Sequence, residues 1–103
     1  LNMIENLSQL VQYHDHQVAS RSLSRLLGLS QSIVLYAMAQ GESISQETSP
    51  RDKVILVLEG QLIFDLEDQK QVLTQESLIA IPAQKVHHLE AKTDCKLLQV
   101  LLD

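Results

Sequence analysis

Cysteine, proline, glycine and aromatic residues are all scarce in this chain of 103 residues, which has one Cys, two Pro, three Gly and no Trp. A single cysteine excludes a disulfide-stapled scaffold and favours a reducing compartment. So few Gly and Pro residues exclude collagen-like and low-complexity chains. Aromatic residues make up 3% of the chain, which leaves few rings on which nucleic-acid bases could stack. The core must therefore consist mainly of Leu, Ile and Val.

Positive charge and long apolar runs are also lacking. Eight Lys and Arg residues stand against 13 Asp and Glu, for a net charge of −5, so we expect no nucleic-acid partner. The longest apolar run, residues 33–39, is too short to span a bilayer, and no signal-peptide pattern is present. With 45% hydrophobic and 20% charged residues, the composition predicts one soluble, cytoplasmic domain over residues 1–103 with no membrane partner.

Short apolar segments separated by turn residues make up most of the chain. The segments typical of strands are 18–25, 32–40, 44–48, 53–58, 61–66, 71–73, 78–81, 86–91 and 96–102. Turn signals at this spacing predict an all-β sandwich or barrel. Only residues 2–11 have helical apolar spacing, and Asn2 with Glu5 suggests a capping box. We therefore predict a short N-terminal helical turn within an extension over residues 1–17.

Some of these strands are apolar on both faces, most clearly residues 32–40 and 53–58. Such strands need cover on both faces, and a chain this small has little material for a second layer. A second subunit would supply that cover, so the sequence predicts a homodimer.

One motif-like segment covers residues 41–60. Gly41 is followed by five residues, then by Glu47 and, two residues later, Ser49. Lys53 comes next, and six residues separate it from Gly60. The two glycines mark places where a tight turn or bulge is easiest to form.

A second motif-like segment covers residues 76–91. In it, Glu76 is followed by five residues and Pro82, and then by His87 and Ala91. In the spacing of both segments, and in the identity of their glycines, Pro82 and His87, the chain resembles the cupin family. The resemblance implies a cupin antiparallel β-barrel or jelly roll, also called a double-stranded β-helix. It extends to small single-domain bacterial cupins of unknown function.

In cupins, the two His and the Glu of the first motif and the His of the second hold a divalent metal. The positions that correspond to them here are Glu47, Ser49, Lys53 and His87. Glu47 offers an oxygen ligand for a metal ion, whereas Ser49 is a poor ligand. A Lys53 ammonium about 5 Å from the metal ion would repel that ion by roughly 6–7 kcal/mol at an effective dielectric near 20. We therefore expect a degenerate metal site and no cofactor, with Glu47 and His87 as the ligands if any metal binds.

The same four positions are the candidate pocket residues. Glu47, Ser49 and Lys53 share strand parity, so without a bulge they face the barrel lumen together, and Glu47 and Lys53 form an ion pair beside His87. One interpretation is a metal-free barrel, binding or regulatory, for a small anionic or hydroxylated ligand, or an acid–base trio. The alternatives are a metal-dependent cupin enzyme of the dioxygenase or isomerase type, and a purely structural or interaction dimer with a filled lumen. We favour the metal-free barrel over an enzyme and assign no catalytic residue, because this fold hosts many activities.

Three other groups have simpler interpretations. His14-Asp15-His16 lies in a predicted loop without a third ligand, which indicates a solvated loop. His88 follows His87 and should therefore point to the opposite face of a strand. Cys95 is expected in a polar turn as an ordinary thiol, with Lys96 beside it to lower its pKa slightly.

Overall fold

The computed structural model describes residues 1–102, and for residues 45–47 it describes the backbone alone. The strands are β1 (Val18–Ser22), β2 (Ile33–Met38), β3 (Ser43–Glu47), β4 (Lys53–Glu59), β5 (Leu62–Leu66), β6 (Gln69–Leu73), β7 (Leu78–Ile81), β8 (His87–Ala91) and β9 (Cys95–Leu101). Over the described residues, helical structure is limited to a 3₁₀ turn, Leu7–Leu10, and a four-residue helix, α1 (Ser24–Leu27). The predicted all-β class is confirmed. No helix in this part of the chain has the length and apolarity needed to cross a membrane.

The strands form two antiparallel sheets. Sheet A has the order β1-β2-β9-β4-β7, and sheet B has the order β3-β8-β5-β6. Most of the sheet contacts join strands that are distant in the sequence, such as β2 with β9 and β5 with β8. The pairing of β3 with β8 and of β4 with β7 joins the two motif segments, residues 41–60 and 76–91.

One core cluster fills the space between the two sheets, which we call the lumen. Its members come from alternate positions of the strands, as expected where one face of each strand is buried. The fully or almost fully buried residues of this cluster are Met38, Ile55, Val57, Leu62, Phe64, Leu73, Ile81, Leu89, Ala91, Cys95 and Leu97. The middle of the lumen is thus packed with side chains rather than open.

A second cluster lies on the outer face of sheet A, where residues 4–13, here called the N-terminal strap, cover β1, β2 and part of β9. Val11 of the strap is buried with Leu35 and Ala37 of β2. The Lys96 ammonium donates a 2.6 Å hydrogen bond to the Ser8 carbonyl oxygen. The strap therefore supplies, from within the chain, part of the cover that the doubly apolar strands require.

The predicted short N-terminal helical turn is confirmed, although it covers only four residues of the strap. Only Leu7–Leu10 form a 3₁₀ turn, whose N-cap is Asn6 without a side-chain hydrogen bond, so the capping box between Asn2 and Glu5 does not start this turn. The apolar side chains of an irregular segment can meet a flat sheet at the same intervals as those of a helix. Spacing alone does not separate the two.

Candidate functional site

Two loops, residues 48–52 and 82–86, close around one end of the barrel, here called the mouth. The Gln84 amide donates a 2.7 Å hydrogen bond to the Ser49 carbonyl oxygen. The Ala83 amide donates a 2.7 Å hydrogen bond to Asp52 Oδ1. These contacts tie the loop that follows β3 to the loop that precedes β8, so the groups at the mouth are held by defined backbone.

Lys53 is the first residue of β4, opposite Ile81 of β7 and Leu101 of β9. It shares the parity of Ile55, which belongs to the lumen cluster. Only 4% of Lys53 is exposed. Because a buried ammonium is costly unless polar groups compensate it, a Lys at this depth marks a polar end to an otherwise aliphatic lumen.

His87 is the first residue of β8 and is also only 4% exposed. Its backbone lies opposite Leu66 of β5 and Glu47 of β3. The ring Nδ1 lies 3.1 Å from the carbonyl oxygen of Lys85. A carbonyl can only accept a hydrogen bond, so this contact places a proton on Nδ1. The other ring nitrogen, Nε2, accepts a hydrogen bond when the ring is neutral and donates one when it is protonated.

The two other candidate residues lie on the chain between these strands. The backbone of Glu47 is the register partner of His87, after an irregularity between Ile44 and Glu47, and the Glu47 side chain lies outside the described residues. Ser49 follows the end of β3, and its Oγ accepts a 3.2 Å hydrogen bond from the Arg51 amide. The parity argument needs a continuous strand, and residues 48–52 are loop. Ser49 thus caps a turn, and strand parity does not apply to a residue in this loop.

A cavity of about 300 Å³ lies beside the mouth and was not foreseen from the sequence. It is lined by Asp65, Glu67, Asp68, Val86, His87 and His88. Asp65 and His88 are cross-strand partners, and Lys85 Nζ lies 3.4 Å from Glu67 Oε1. Only the pairing of β5 with β8 brings these groups together, and no local pattern reveals that pairing. Among the described residues, no three His, Cys, Asp or Glu side chains are placed to hold a metal ion.

The structure also locates the remaining histidines. His88 is paired with Asp65 on the face opposite the lumen, while His87 and Leu89 are buried on the lumen side, so the predicted alternation is confirmed. His14 and His16 are both exposed, in the turn that leads from the strap to β1, as expected of a solvated loop.

Cys95 differs from its expected place in a polar turn. It is the first residue of β9, fully buried in the lumen cluster. Burial raises its pKa from the ordinary value of 9.0 to about 12, and the carboxylates of Asp94 and Glu59 add to the shift. The neighbouring Lys96 was expected to lower this pKa. Alternation along β9 instead sends the Lys96 side chain to the outer face, where it meets Tyr13 and Ser8 of the strap.

Comparison with known protein families agrees with this geometry. The sequence profile of the cupin domain matches residues 34–101, which include most of β2, all of β3 to β9 and both motif segments. The chain belongs to the cupin family. No protein with a curated description matches this cupin significantly.

Solved structures resemble this cupin along almost its whole length. A cupin superfamily protein from Desulfitobacterium hafniense shares 30% identity at a TM-score of 0.85, over 99% of this chain and 95% of that one. A conserved protein of unknown function from Streptococcus pyogenes has a TM-score of 0.88 at 22% identity, over 98% and 87% of the two chains. A cupin 2 conserved barrel domain protein from Leptotrichia buccalis has a TM-score of 0.87 at 22% identity, over 96% of this chain and 47% of that one. The predicted barrel is confirmed.

Proposed function

We propose that this cupin is a metal-free barrel that binds a small anionic or hydroxylated molecule at its mouth. The observation that carries the proposal is the Lys53 ammonium, 4% exposed at the polar end of an aliphatic lumen. A buried cation attracts an anion or a hydroxyl oxygen far more strongly than a solvated one does, because the surrounding dielectric is low.

The residues at the four motif positions do not fit a divalent ion. Lys53 is buried inside the barrel, and its ammonium form would repel a divalent cation at the same place. The Ser49 hydroxyl already accepts the Arg51 amide hydrogen bond that holds the turn. Glu47 and His87 alone would be fewer than the three or four protein ligands that zinc and iron sites require. We therefore derive no reaction step through a metal.

Lys53 and His87 have different roles in the proposed ligand binding. Lys53 supplies positive charge and hydrogen-bond donors. His87 is oriented by the Lys85 carbonyl, and through Nε2 it accepts a hydrogen bond from a ligand hydroxyl or, once protonated, donates one to a carboxylate. Ile81 and Leu101, the register partners of Lys53, provide apolar walls.

The packing of the lumen limits the size of the ligand. Leu62, Phe64 and Ile55 are at most 1% exposed, so the middle of the barrel offers little space. A ligand of a few heavy atoms at the mouth fits this arrangement, and its affinity is expected to be modest because each atom of a small ligand contributes a limited free energy.

The test is a titration of ¹⁵N-labelled protein with acetate, inorganic phosphate and glycerol, followed by NMR. We expect saturable shifts for at least one probe, confined to residues around Lys53, His87 and Leu101. Lys53→Met should abolish the shifts and His87→Gln should weaken them. Lys85→Met is the matched control, because Lys85 is a half-exposed cation of the same loop region. Saturation by none of the three probes would favour the structural barrel with a filled lumen.

Metal analysis tests the other half of the proposal. Protein purified without chelators should contain iron, zinc, manganese and nickel well below one ion per chain. A stoichiometric metal that is lost in His87→Ala would refute the metal-free interpretation and favour a metal-dependent cupin enzyme. Circular dichroism of each variant separates loss of a ligand from loss of the fold.

A further inference from the structure

A cleft of about 590 Å³ opens where the strap meets β1 and α1, and its lining residues lie outside the loops of the mouth. We call it the strap cleft. Its apolar walls include Ile4 and Leu10 of the strap and Leu26 of α1. Ile4 and Leu10 also pack against the buried cluster on the outer face of sheet A, whereas Leu26 is 45% exposed. The strap cleft is therefore an apolar surface that is open to a ligand.

Two contacts hold the walls of the strap cleft in place. A Cβ atom at Gly28, the residue that closes α1, would lie 2.7 Å from Asn2 Nδ2, so this glycine lets the segment before the strap lie against the end of α1. The Ile33 amide donates a 3.1 Å hydrogen bond to Ser24 Oγ, which fixes the start of α1 to β2. The walls are thus positioned by the fold before any ligand binds.

The side chains of the strap cleft include one base and one acid, Arg21 of β1 and Glu5 of the strap. Arg21 Nη1 donates a long hydrogen bond of 3.5 Å to the Leu10 carbonyl oxygen, which keeps the guanidinium beside the apolar wall. Among the side chains that the structure describes, neither Arg21 nor Glu5 forms an ion pair. Two opposite charges thus line one cleft without neutralising each other.

We propose that the strap cleft binds a free aliphatic amino acid of the leucine type. The planar guanidinium of Arg21 matches the shape of a carboxylate. The Glu5 carboxylate accepts hydrogen bonds from an ammonium group, and the apolar walls receive the aliphatic side chain. A volume of about 590 Å³ is typical of small-molecule sites and accommodates one such molecule.

The two charges select a zwitterion over molecules with a single charge. A fatty acid would bring its carboxylate to Arg21 but also close to Glu5, and an alkylamine at Glu5 would lie close to Arg21. An amino acid carries opposite charges on one carbon atom and can therefore contact both side chains at once. Because Arg21 and Glu5 are exposed, each ionic contact contributes modestly, and we expect binding in the millimolar range.

The experiment is an NMR titration of the whole ¹⁵N-labelled chain with leucine. We expect saturable shifts confined to the strap, β1 and α1. Two matched compounds keep the aliphatic part of leucine and lack one charge: 4-methylpentanoate has no amine, and 3-methylbutylamine has no carboxylate. Each should bind at least about fivefold more weakly than leucine, which is the loss expected for one exposed ionic contact.

Variants assign the two ionic contacts separately. Arg21→Met and Glu5→Gln should each weaken leucine binding about fivefold. Arg21→Met should also abolish the preference for leucine over 3-methylbutylamine, and Glu5→Gln the preference over 4-methylpentanoate. Arg25→Met is the matched control, because Arg25 is an exposed arginine of α1 that lies outside the lining of the strap cleft. Equal unfolding temperatures would show that all three variants are folded.

Four outcomes would overturn the proposal. Shifts that stay linear up to the solubility limit of leucine would show that the cleft does not bind it. Equal affinity for leucine and 4-methylpentanoate would remove the role of Glu5. A loss in Arg25→Met as large as in Arg21→Met would show a response to net charge alone. Saturable shifts at Lys53 and His87 instead would place the leucine site at the mouth. The strap cleft and the mouth are lined by different residues, so failure of one proposal does not affect the other.

Discussion

The Tyr13 hydroxyl donates a 2.7 Å hydrogen bond to Glu59 Oε2 and so joins the strap to the end of β4. Burial, this hydrogen bond and the Glu59 charge all raise the pKa of Tyr13 above its ordinary value, so the phenol stays protonated and remains the donor. The Lys96 ammonium lies 5.1 Å from the centre of the same ring. Tyr13 thus contacts both Glu59 and Lys96, which are register partners in β4 and β9.

Tyr13→Phe should lower the free energy of unfolding by about 1–2 kcal/mol, because it removes a hydrogen bond to a charged acceptor while keeping the ring beside Lys96. Urea denaturation measures the effect. A double-mutant cycle with Glu59→Gln isolates the pair, and we expect a coupling of about 1 kcal/mol. No measurable coupling would mean that the strap is held by its apolar contacts alone.

Cys95 makes stability fall at alkaline pH. The unfolded chain releases the thiol proton above pH 9, while the folded chain retains it up to about pH 12. The stability that depends on the neutral thiol is thus complete below pH 9, and it falls by about 1.4 kcal/mol for each pH unit above that. Cys95→Ala should remove this part of the slope between pH 9 and 10, before Tyr13 contributes. Parallel pH profiles for wild type and Cys95→Ala would contradict the assignment.

Gly60 and Gly41 form a matched pair for a test of close packing. Both have positive φ angles, +78° and +85°, but only a Cβ at Gly60 would overlap the Asp94 carbonyl oxygen and lie 2.8 Å from Cys95 Cα. Gly41→Ala should cost about 1–2 kcal/mol, the usual strain of the left-handed region. Gly60→Ala should cost at least about 3 kcal/mol, because overpacking adds to that strain. Similar unfolding free energies for the two variants would show that the backbone at Gly60 yields easily.

Lys53 provides a stability test separate from ligand binding. If the predicted ion pair with Glu47 exists inside the barrel, Lys53→Met leaves a buried carboxylate without its counter-charge and should destabilise the protein by about 3–5 kcal/mol. Adding Glu47→Gln to Lys53→Met should recover most of the loss. Thermal or urea unfolding measures both variants. A change within about 0.5 kcal/mol for Lys53→Met would place the pair in solvent or show that it is absent.

The strands were predictable where apolar runs end at strong turn residues. β2 ends before Gly41, β4 begins soon after Pro50, and β7 ends just before Pro82. Each of these predicted boundaries therefore lies within two residues of the boundary in the structure. The helical turn of the strap was predicted from its apolar spacing, and it forms over Leu7–Leu10. The short helix α1 was not predicted. It is a single turn closed by Gly28 with φ of +68°, too short to show a period of its own.

The candidate site was predictable only in part, and for a physical reason. Alternation along one strand correctly placed His88 on the face opposite to His87. The prediction of a polar turn at Cys95 was wrong, because its sequence neighbours, Asp94 and Lys96, are polar, whereas its neighbours in space are Met38 and other residues of the lumen. The cavity beside His87 depends on a strand pairing that no segment of the chain encodes locally.

The position of β9 in the middle of sheet A has a consequence for how the protein is made. β2 and β4 both use β9 as their neighbour, and they precede it in the chain by many residues. During synthesis, β2 and β4 therefore lack this neighbouring strand until β9 has been translated. Folding of sheet A is a late event that follows translation of β9, and pairings between such distant segments are formed slowly. A nascent chain that ends before β9 would expose unpaired strand edges, the kind of surface that makes folding intermediates prone to aggregate.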